Sequence, residues 1–225
     1  MGDAKRPSEV LAEQVREWRR RRDNMSAQGL ANRIAEMGGT LSRVAISKIE
    51  NGDRGVSVDE WLQLAHALAV PPPLLFLDLE SGTDVEVAPG VVLHPWLVWE
   101  WATGQHPPLV PAAEGGAYVT RVEEFARAQT AINLYRSEAR AATAINNAES
   151  AIRGAEYVDD ADQLRAARTA HVDALRELAR VLDLMIEHGM TPPGKPARWV
   201  EAIRSLGLSK HPDRLVVHEV GDGGR

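Results

Sequence analysis

Residues 42–52 have the sequence SRVAISKIENG, and this stretch decides the fold of the first third of the chain. Ser42 is a favourable N-cap for a helix, and Asn51-Gly52 is a typical helix end. Between them, three apolar residues are spaced to form one buried face: Ala45, Ile46 and Ile49. Four side chains remain for the opposite face: Arg43, Val44, Ser47 and Lys48. The pattern predicts a short amphipathic helix whose outer face is free to meet a partner.

Four more short helices are predicted around this one. The five helices begin after the following residues: Ser8, Ser26, Ser42, Ser57 and Pro73. Serine is a common N-cap, and Ser57 is followed by Glu60 at the spacing of a capping box. The second helix should end at Gly38-Gly39, and the prolines at 71–73 should end the fourth. Together these signals predict a five-helix domain over residues 1–78.

Residues 8–77 resemble the Cro/repressor-type (XRE) helix-turn-helix family of DNA-binding transcriptional regulators, in forms seen in actinobacteria and phages. The matching residues are Ser26, Leu30-Ala31, Ile34, Ser42-Arg43, the string ISKIENG over 46–52 and the string LAHALAV over 64–70. One feature departs from the family, because seven residues separate Ile34 from Ser42 where the family has a tight turn. We therefore expect a longer second helix and a looser connection.

A recognition helix needs one buried face and one face that can reach base edges in the major groove. Arg43 and Lys48 can donate to guanine acceptors, and the methyl groups of Val44 can contact a thymine methyl. Ser47 lies on the same predicted face. These four residues are the predicted base-contacting set.

A second set is predicted to contact phosphates. Asn51 lies at the end of the recognition helix, and the Ser42 N-cap leaves backbone N–H groups directed at the groove. The resemblance implies a further contact from the start of the second helix, where Gln28 is the candidate because Ala27 replaces the glutamine common in the family. Three arginines complete the predicted set: Arg21, Arg22 and Arg54.

Glu50 is predicted to point inward, because a carboxylate on a DNA-facing surface would repel phosphate. The resemblance implies a buried ion pair between this residue and an arginine of the first helix. Counting from Trp18 favours Arg19, whereas counting back from Ser26 favours Arg20. Arg19 is the predicted partner and Arg20 the alternative.

The distribution of charge is more informative than its total. The chain has 225 residues and a formal net charge of −6, which alone argues against a nucleic-acid partner. Residues 1–54, however, contain 11 basic and 8 acidic side chains, a net charge of +3. Residues 55–120 contain 8 acidic side chains and no Lys or Arg. The predicted DNA-binding part is therefore basic, and the acidic excess lies outside it.

Residues 79–113 form a predicted Trp-rich α/β connecting segment. Residues 85–87 and 91–93 flank a turn and predict a small hairpin, and a short helix should follow from Pro95 to Gly104. His106 to Pro111 is predicted to be a linker. Three tryptophans lie close together, at positions 96, 99 and 101. Because no basic residue is near them in the sequence, we expect packing in the protein rather than stacking on bases.

Residues 114–190 predict a long helical hairpin that resembles a coiled coil. A first helix should run from about Tyr118 to Gly154, and a second should follow a loop near residues 154–160. The second helix has a seam with alternating spacings of 3 and 4: Leu164, Ala167, His171, Ala174, Leu178, Val181 and Met185. One hairpin buries only one face, so either a second copy or another helix of the chain should cover it. We expect dimerisation through this segment.

Residues 191–225 predict a short helix over 197–206, a strand over 214–220 and a flexible glycine-rich end. No cysteine is present, which favours a reducing compartment and a cytoplasmic location. Because no apolar run is long enough for a membrane span and the first ten residues lack an apolar region, we expect neither a membrane span nor a secretory signal.

No HExxH, GxSxG or P-loop motif occurs, so no enzyme, metal or cofactor is predicted. The sequence favours a mainly α-helical transcriptional regulator, more often a repressor than an activator, that binds a palindromic operator as a homodimer. The alternative is an antitoxin or phage adaptor whose helical C-terminal half binds a protein partner.

Overall fold

The computed structural model describes residues 4–111, 118–120 and 122–218. It divides into two units, residues 1–125 and residues 126–225. Helices dominate both units, which confirms the prediction of a mainly α-helical chain.

Four α-helices and one 3-10 helix make up the predicted N-terminal domain. Their bounds are α1 (Pro7–Arg21), α2 (Ala27–Glu36), α3 (Arg43–Glu50), α4 (Val58–Leu68) and the 3-10 helix Pro72–Leu75. The side chains of Ser26, Ser42 and Ser57 accept hydrogen bonds from the backbone of their helices, as predicted for N-caps. The prediction for Ser8 is wrong. Pro7 occupies the first turn of α1, and Arg6 with Glu9 closes the helix start instead.

These five helices bury one apolar core. Its largest fully buried side chains are Leu30, Ile34, Ile46, Ile49, Leu64, Leu68 and Leu75. The core therefore includes Ile46 and Ile49 of the predicted recognition helix, and it fixes that helix to α2 and α1.

The connection between α2 and α3 is longer than a tight turn, as expected. Gly38 adopts a positive φ of 82°, and Gly39 lies against α4 so closely that no side chain would fit. A Cβ atom on Gly39 would lie 2.5 Å from Ile34 Cγ2 and 2.6 Å from Gln63 Oε1. The connection is thus seated on the domain rather than loose.

The segment after the 3-10 helix packs on α1. Strands β1 (Val85–Ala88) and β2 (Val91–Leu93) form the predicted antiparallel hairpin, and α5 (Pro95–Ala102) follows. A second core joins α1 to this segment: Val10, Leu77, Val85, Val91, Leu93 and Val98. The packing role predicted for the tryptophans holds only for Trp99, because Trp96 and Trp101 are 48% and 39% exposed.

The stretch predicted as a linker contains a strand. Strand β3 (Leu109–Pro111) pairs in antiparallel register with β4 (Tyr118–Thr120). The predicted long helix therefore does not begin at Tyr118. It begins with α6 (Val122–Ala128) and continues, after a break at Gln129, as α7 (Thr130–Tyr157).

Helices α7 and α8 (Ala161–Glu187) form the predicted antiparallel hairpin of the second unit. Gly154 lies inside α7, and the connecting loop is shorter than predicted, residues 158–160. Along the predicted seam, five side chains are buried: Ala167, Ala174, Leu178, Val181 and Met185. Most of the predicted seam is therefore buried in the core of the second unit.

A helix of the same chain covers part of this hairpin. Helix α9 (Ala197–Ser205) buries Trp199, Val200 and Ile203 against α7 and α8. The two-residue strands β5 (Lys195–Pro196) and β6 (Val217–His218) pair in parallel, and the ammonium of Lys195 binds the buried carboxylate of Glu138. Of the strand predicted over 214–220, residues 214–216 are not strand, because Arg214 ends the 3-10 helix Pro212–Arg214 and the strand begins only at Val217. Residues 219 and 220 and the glycine-rich end lie outside the described residues.

In the described part of the chain, no helix combines the length and the apolar character that a membrane span requires.

Candidate nucleic-acid interface

Helix α3 divides into a buried and an exposed side as the sequence predicts. Ile46 and Ile49 are at most 1% exposed, whereas Val44 is 62% exposed. The side chains of Arg43 and Lys48 are also exposed, and Ser47 is half-buried. The structure therefore brings the four predicted base-contacting residues to one outer face, with Ser47 at its edge.

The N-terminal end of α3 offers hydrogen-bond donors. Ser42 Oγ accepts a hydrogen bond from the backbone N–H of Ala45 at 3.2 Å, which leaves its own hydroxyl proton free to donate. The first N–H groups of a helix have no partner within the helix and favour an anion. This end of α3 is suited to a phosphate oxygen.

A groove of about 510 Å³ runs between α2 and the start of α3, and its walls include Gln28, Asn32, Thr40, Ser42 and Arg43. Gln28 Nε2 donates to Asn32 Oδ1 at 2.8 Å. One N–H of the Gln28 amide is therefore used in a hydrogen bond to the protein itself. The NH2 group of Asn32 points away from that bond. Asn32 was not among the predicted residues, although its position one turn after Gln28 could have indicated it.

Two arginines of α1 hold the C-terminal end of α3. Arg19 donates two hydrogen bonds to the carboxylate of Glu50, Nε to Oε1 at 2.7 Å and Nη2 to Oε2 at 2.9 Å. Arg19, not Arg20, therefore makes the predicted ion pair, and the hydrogen bonds that it donates to Glu50 raise the pKa of Arg19 above its ordinary value. Arg16 binds the carbonyl oxygen of Glu50 and lies 3.4 Å from Asn51 Oδ1.

Arg16 was not among the predicted residues. It lies one turn before Arg19 on the same side of α1, and that spacing was the available signal. Because a guanidinium can only donate hydrogen bonds, it directs the oxygen of Asn51 inward and the amide NH2 outward. This orientation suits the phosphate contact predicted for Asn51.

The three arginines predicted to contact phosphate have protein partners. Arg22 donates to the carbonyl oxygens of Leu68 and Ala69 at 2.8 and 3.0 Å, so it caps the end of α4. Arg21 forms ion pairs with Glu17 and Glu80, and Arg54 forms one with Glu60. The structure thus departs from the expectation for Arg22, whose guanidinium is committed to the backbone of α4.

Most of the cationic side chains of residues 1–54 have a hydrogen-bond partner in the protein. Eight of the eleven donate to a carboxylate or a backbone carbonyl of the protein: Lys5, Arg6, Arg16, Arg19, Arg21, Arg22, Arg33 and Arg54. Among the described residues, Arg20, Arg43 and Lys48 have no hydrogen bond or ion pair of their side chains. Two of these three lie on the outer face of α3.

A comparison with protein families agrees with this geometry. Residues 10–75 match the model of a family described as a helix-turn-helix domain. The match covers 66 of the 225 residues and includes the whole of α2, α3 and α4. No curated protein and no solved structure gives a significant match to the chain. The N-terminal part of the chain is therefore a helix-turn-helix domain, a class of domain that DNA-binding regulators use to contact DNA.

Proposed function

We propose that this protein is a sequence-specific transcriptional regulator of double-stranded DNA, of the Cro/repressor (XRE) type and a repressor rather than an activator. It acts in the cytoplasm, by binding and not by catalysis, without cofactor or metal. The proposal is based mainly on two cationic side chains on the exposed face of α3, Arg43 and Lys48. Neither forms a hydrogen bond or an ion pair with the described residues. A face that combines these donors with an exposed Val44 suits base edges in a major groove.

We infer further that Gln28, Ser42 and Asn51 supply donors to phosphates on either side of that groove. Asn32 joins them, because it shares the groove with Gln28, Ser42 and Arg43. Phosphate contacts of this kind fix the register of the helix, and the base contacts then provide the sequence preference.

We infer that two copies act together on a palindromic operator. The second unit has exposed apolar surface on α7, where Ile132 and Tyr135 are 41% and 47% exposed and lie nearly one turn apart. A dimer on such an operator would present two copies of α3 to successive major grooves, about 34 Å apart. The same face is the observation behind the alternative function, in which the C-terminal helices bind a protein partner, as in an antitoxin or a phage adaptor.

Selection of bound sites from random duplex DNA with the purified chain tests both parts of the proposal. We expect a palindromic consensus whose half-sites are one helical turn apart. A consensus without symmetry would contradict the proposed dimer but would still support a sequence-specific regulator. No enrichment at low salt would overturn the proposal and favour the protein-binding alternative, which a toxin gene beside this one would support.

A further inference from the structure

Arg20 is an exposed cation of the first unit that takes no part in its packing. It lies in the last turn of α1, and among the described residues its guanidinium has no hydrogen-bond or ion-pair partner. A cation in the last turn of a helix is favourable for the helix dipole. Arg19 and Arg21 in the same turn already supply such charge, so the dipole of α1 does not require a third arginine.

The position of Arg20 on α1 places it beside Arg16. The two residues are four apart, and side chains at that spacing are neighbours on one side of a helix. Arg16 binds the carbonyl oxygen of Glu50, and Arg19 binds the carboxylate of the same residue. Arg20 therefore lies at the edge of the side of α1 that holds the C-terminal end of α3.

This end of α3 needs added positive charge before it can bind a phosphate. A helix C-terminus carries a partial negative charge of about half a unit, because its last carbonyl groups have no partner within the helix. Asn51 caps this end and is uncharged, so its amide alone would have to overcome the repulsion. A phosphate contact at Asn51 therefore requires a cation close by.

Two arginines of α1 can provide that charge. Arg16 binds the carbonyl oxygen of Glu50 and lies 3.4 Å from Asn51 Oδ1, so its guanidinium covers the negative end of α3. It is half-buried and already engaged with the protein. Arg20 lies one turn further along α1, is exposed, and keeps its N–H donors for a ligand.

The neighbouring carboxylates have other partners. Glu17, three residues before Arg20, is near enough on the helix to compete for it, but Arg21 donates to Glu17 Oε1 at 3.0 Å. Both carboxylate oxygens of Glu50 accept hydrogen bonds from Arg19. Neither acid therefore neutralises Arg20.

We propose that Arg20 and Arg16 form a phosphate-binding site with Asn51 at the junction of α1 and α3. The ligand is a phosphodiester of the DNA backbone. The amide of Asn51 donates a hydrogen bond to it, Arg20 supplies the charge, and Arg16 offsets the negative end of α3. This inference rests on the proposed function. It adds a phosphate contact at the C-terminal end of α3 to the one at Ser42, and contacts at both ends fix the helix in the groove.

The salt dependence of DNA binding by the full chain tests the role of Arg20. We expect Arg20→Ala to lower the slope of log affinity against log salt concentration by about one unit, and to weaken the operator and an unrelated duplex equally. Arg21→Ala is the matched control. It removes the same charge one residue away, from a side chain bound to Glu17 and Glu80, and should leave the slope unchanged. Both variants should keep the wild-type melting temperature.

Neutral methylphosphonate groups in the operator locate the phosphate. With one phosphate replaced at a time, we expect one position in each half-site where the replacement weakens binding of the wild type and hardly affects Arg20→Ala. Asn51→Ala should be insensitive at the same position, because the two residues share one phosphate. Sensitivity at separate positions would overturn the shared site.

Two further results would count against the inference. An unchanged slope for Arg20→Ala, in a chain that still binds its operator, would overturn this inference and leave the proposed function intact. A changed preference among operator variants without a change of slope would assign Arg20 to base contacts instead. If the wild-type chain binds no duplex even at low salt, the proposed function itself fails and this inference fails with it, so the two failures are distinguishable.

Discussion

The guanidinium of Arg19 binds both carboxylate oxygens of Glu50, at 2.7 and 2.9 Å, and so joins α1 to the end of α3. The two side chains are only 15% and 8% exposed. A paired geometry of this kind satisfies a charge that would otherwise be costly to bury. The orientation of α3 therefore depends on α1 as well as on its own apolar face.

Removal of Glu50 should unfold the domain more readily. Because Arg19 would remain partly buried without its partner, we expect Glu50→Ala to lower the free energy of unfolding by about 3–5 kcal/mol. Denaturation in urea measures the change. Glu36→Ala, an exposed acid of α2, is the control and should change stability little. A loss below 1 kcal/mol for Glu50→Ala would show that the ion pair does not hold α3 in place.

Arg43 should control sequence preference. We expect Arg43→Ala to reduce discrimination at one base pair of each half-site by about 1–3 kcal/mol, because a bidentate contact to guanine is lost. Binding to a panel of single-base variants of the selected operator measures the change. Arg21→Ala is the control, since Arg21 is paired with Glu17 and Glu80. If Arg43→Ala keeps the same preference, the outer face of α3 is not the reading surface.

Substitution of Lys48 should affect DNA binding, whereas substitution of Arg22 should affect the stability of the domain. Lys48 has no partner among the described residues, so its charge is available to the DNA as well as its donors. Lys48→Ala should relax the preference at one base pair of each half-site and also lower the slope of affinity against salt concentration by about one unit. Arg22 caps α4 through two carbonyl oxygens, so Arg22→Ala should lower the melting temperature and leave the slope unchanged. A lower slope for Arg22→Ala at full stability would restore the phosphate contact that the sequence suggested.

Two glycines should respond in opposite ways to alanine. Gly39→Ala should cost about 1–3 kcal/mol, because its methyl group would overlap Ile34 and Gln63. Gly154 lies within α7 with open space around it, so Gly154→Ala should stabilise the second unit by about 0.5–1 kcal/mol. Thermal unfolding compares the two. Stabilisation by Gly39→Ala would mean that the α2–α3 connection is not seated on α4.

The second unit should lose stability in acid through Glu149. Burial raises the pKa of this carboxyl, but hydrogen bonds from Arg198 and from Trp199 Nε1 outweigh it, and the pKa lies below its ordinary 4.5. A lowered pKa contributes stability above the ordinary value, and this contribution is lost as the pH falls through the folded-state value.

Glu149→Gln should therefore remove part of the pH dependence of unfolding below about pH 4.5. The comparison is best made in a His171→Gln background, because His171 Nε2 lies 3.8 Å from Glu149. Parallel stability curves with and without Glu149 would show that the carboxylate contributes nothing.

Local signals in the sequence predicted the parts of the fold that depend on neighbouring residues. The caps at Ser26, Ser42 and Ser57 and the buried face of α3 follow from spacing within one helix. The choice between Arg19 and Arg20 as the partner of Glu50 could not be made from spacing. Asp23 and Asn24 both adopt positive φ values, 51° and 52°, and so alter the number of residues between α1 and α2. Sequence spacing cannot show such a turn.

Contacts between residues that are distant in the sequence were also not predicted. The cover that α9 provides for the hairpin and the capping of α4 by Arg22 each join residues far apart in the chain. The prediction that the first long helix ends at Gly154 was wrong for a different reason. A glycine costs a helix about 1 kcal/mol, and the 28-residue α7 tolerates that loss because Ala148 and Ala155 pack on either side of it.

The packing of β1, β2 and α5 on α1 has a consequence for how the DNA-binding part can be isolated. Val10 and Leu77 are each 1% exposed only because Val85, Val91, Leu93 and Val98 cover them. A chain cut after residue 78 would present that apolar surface to water and tend to aggregate. The smallest piece that can be moved between proteins as an independent module therefore extends through α5, well beyond the helices of the helix-turn-helix domain.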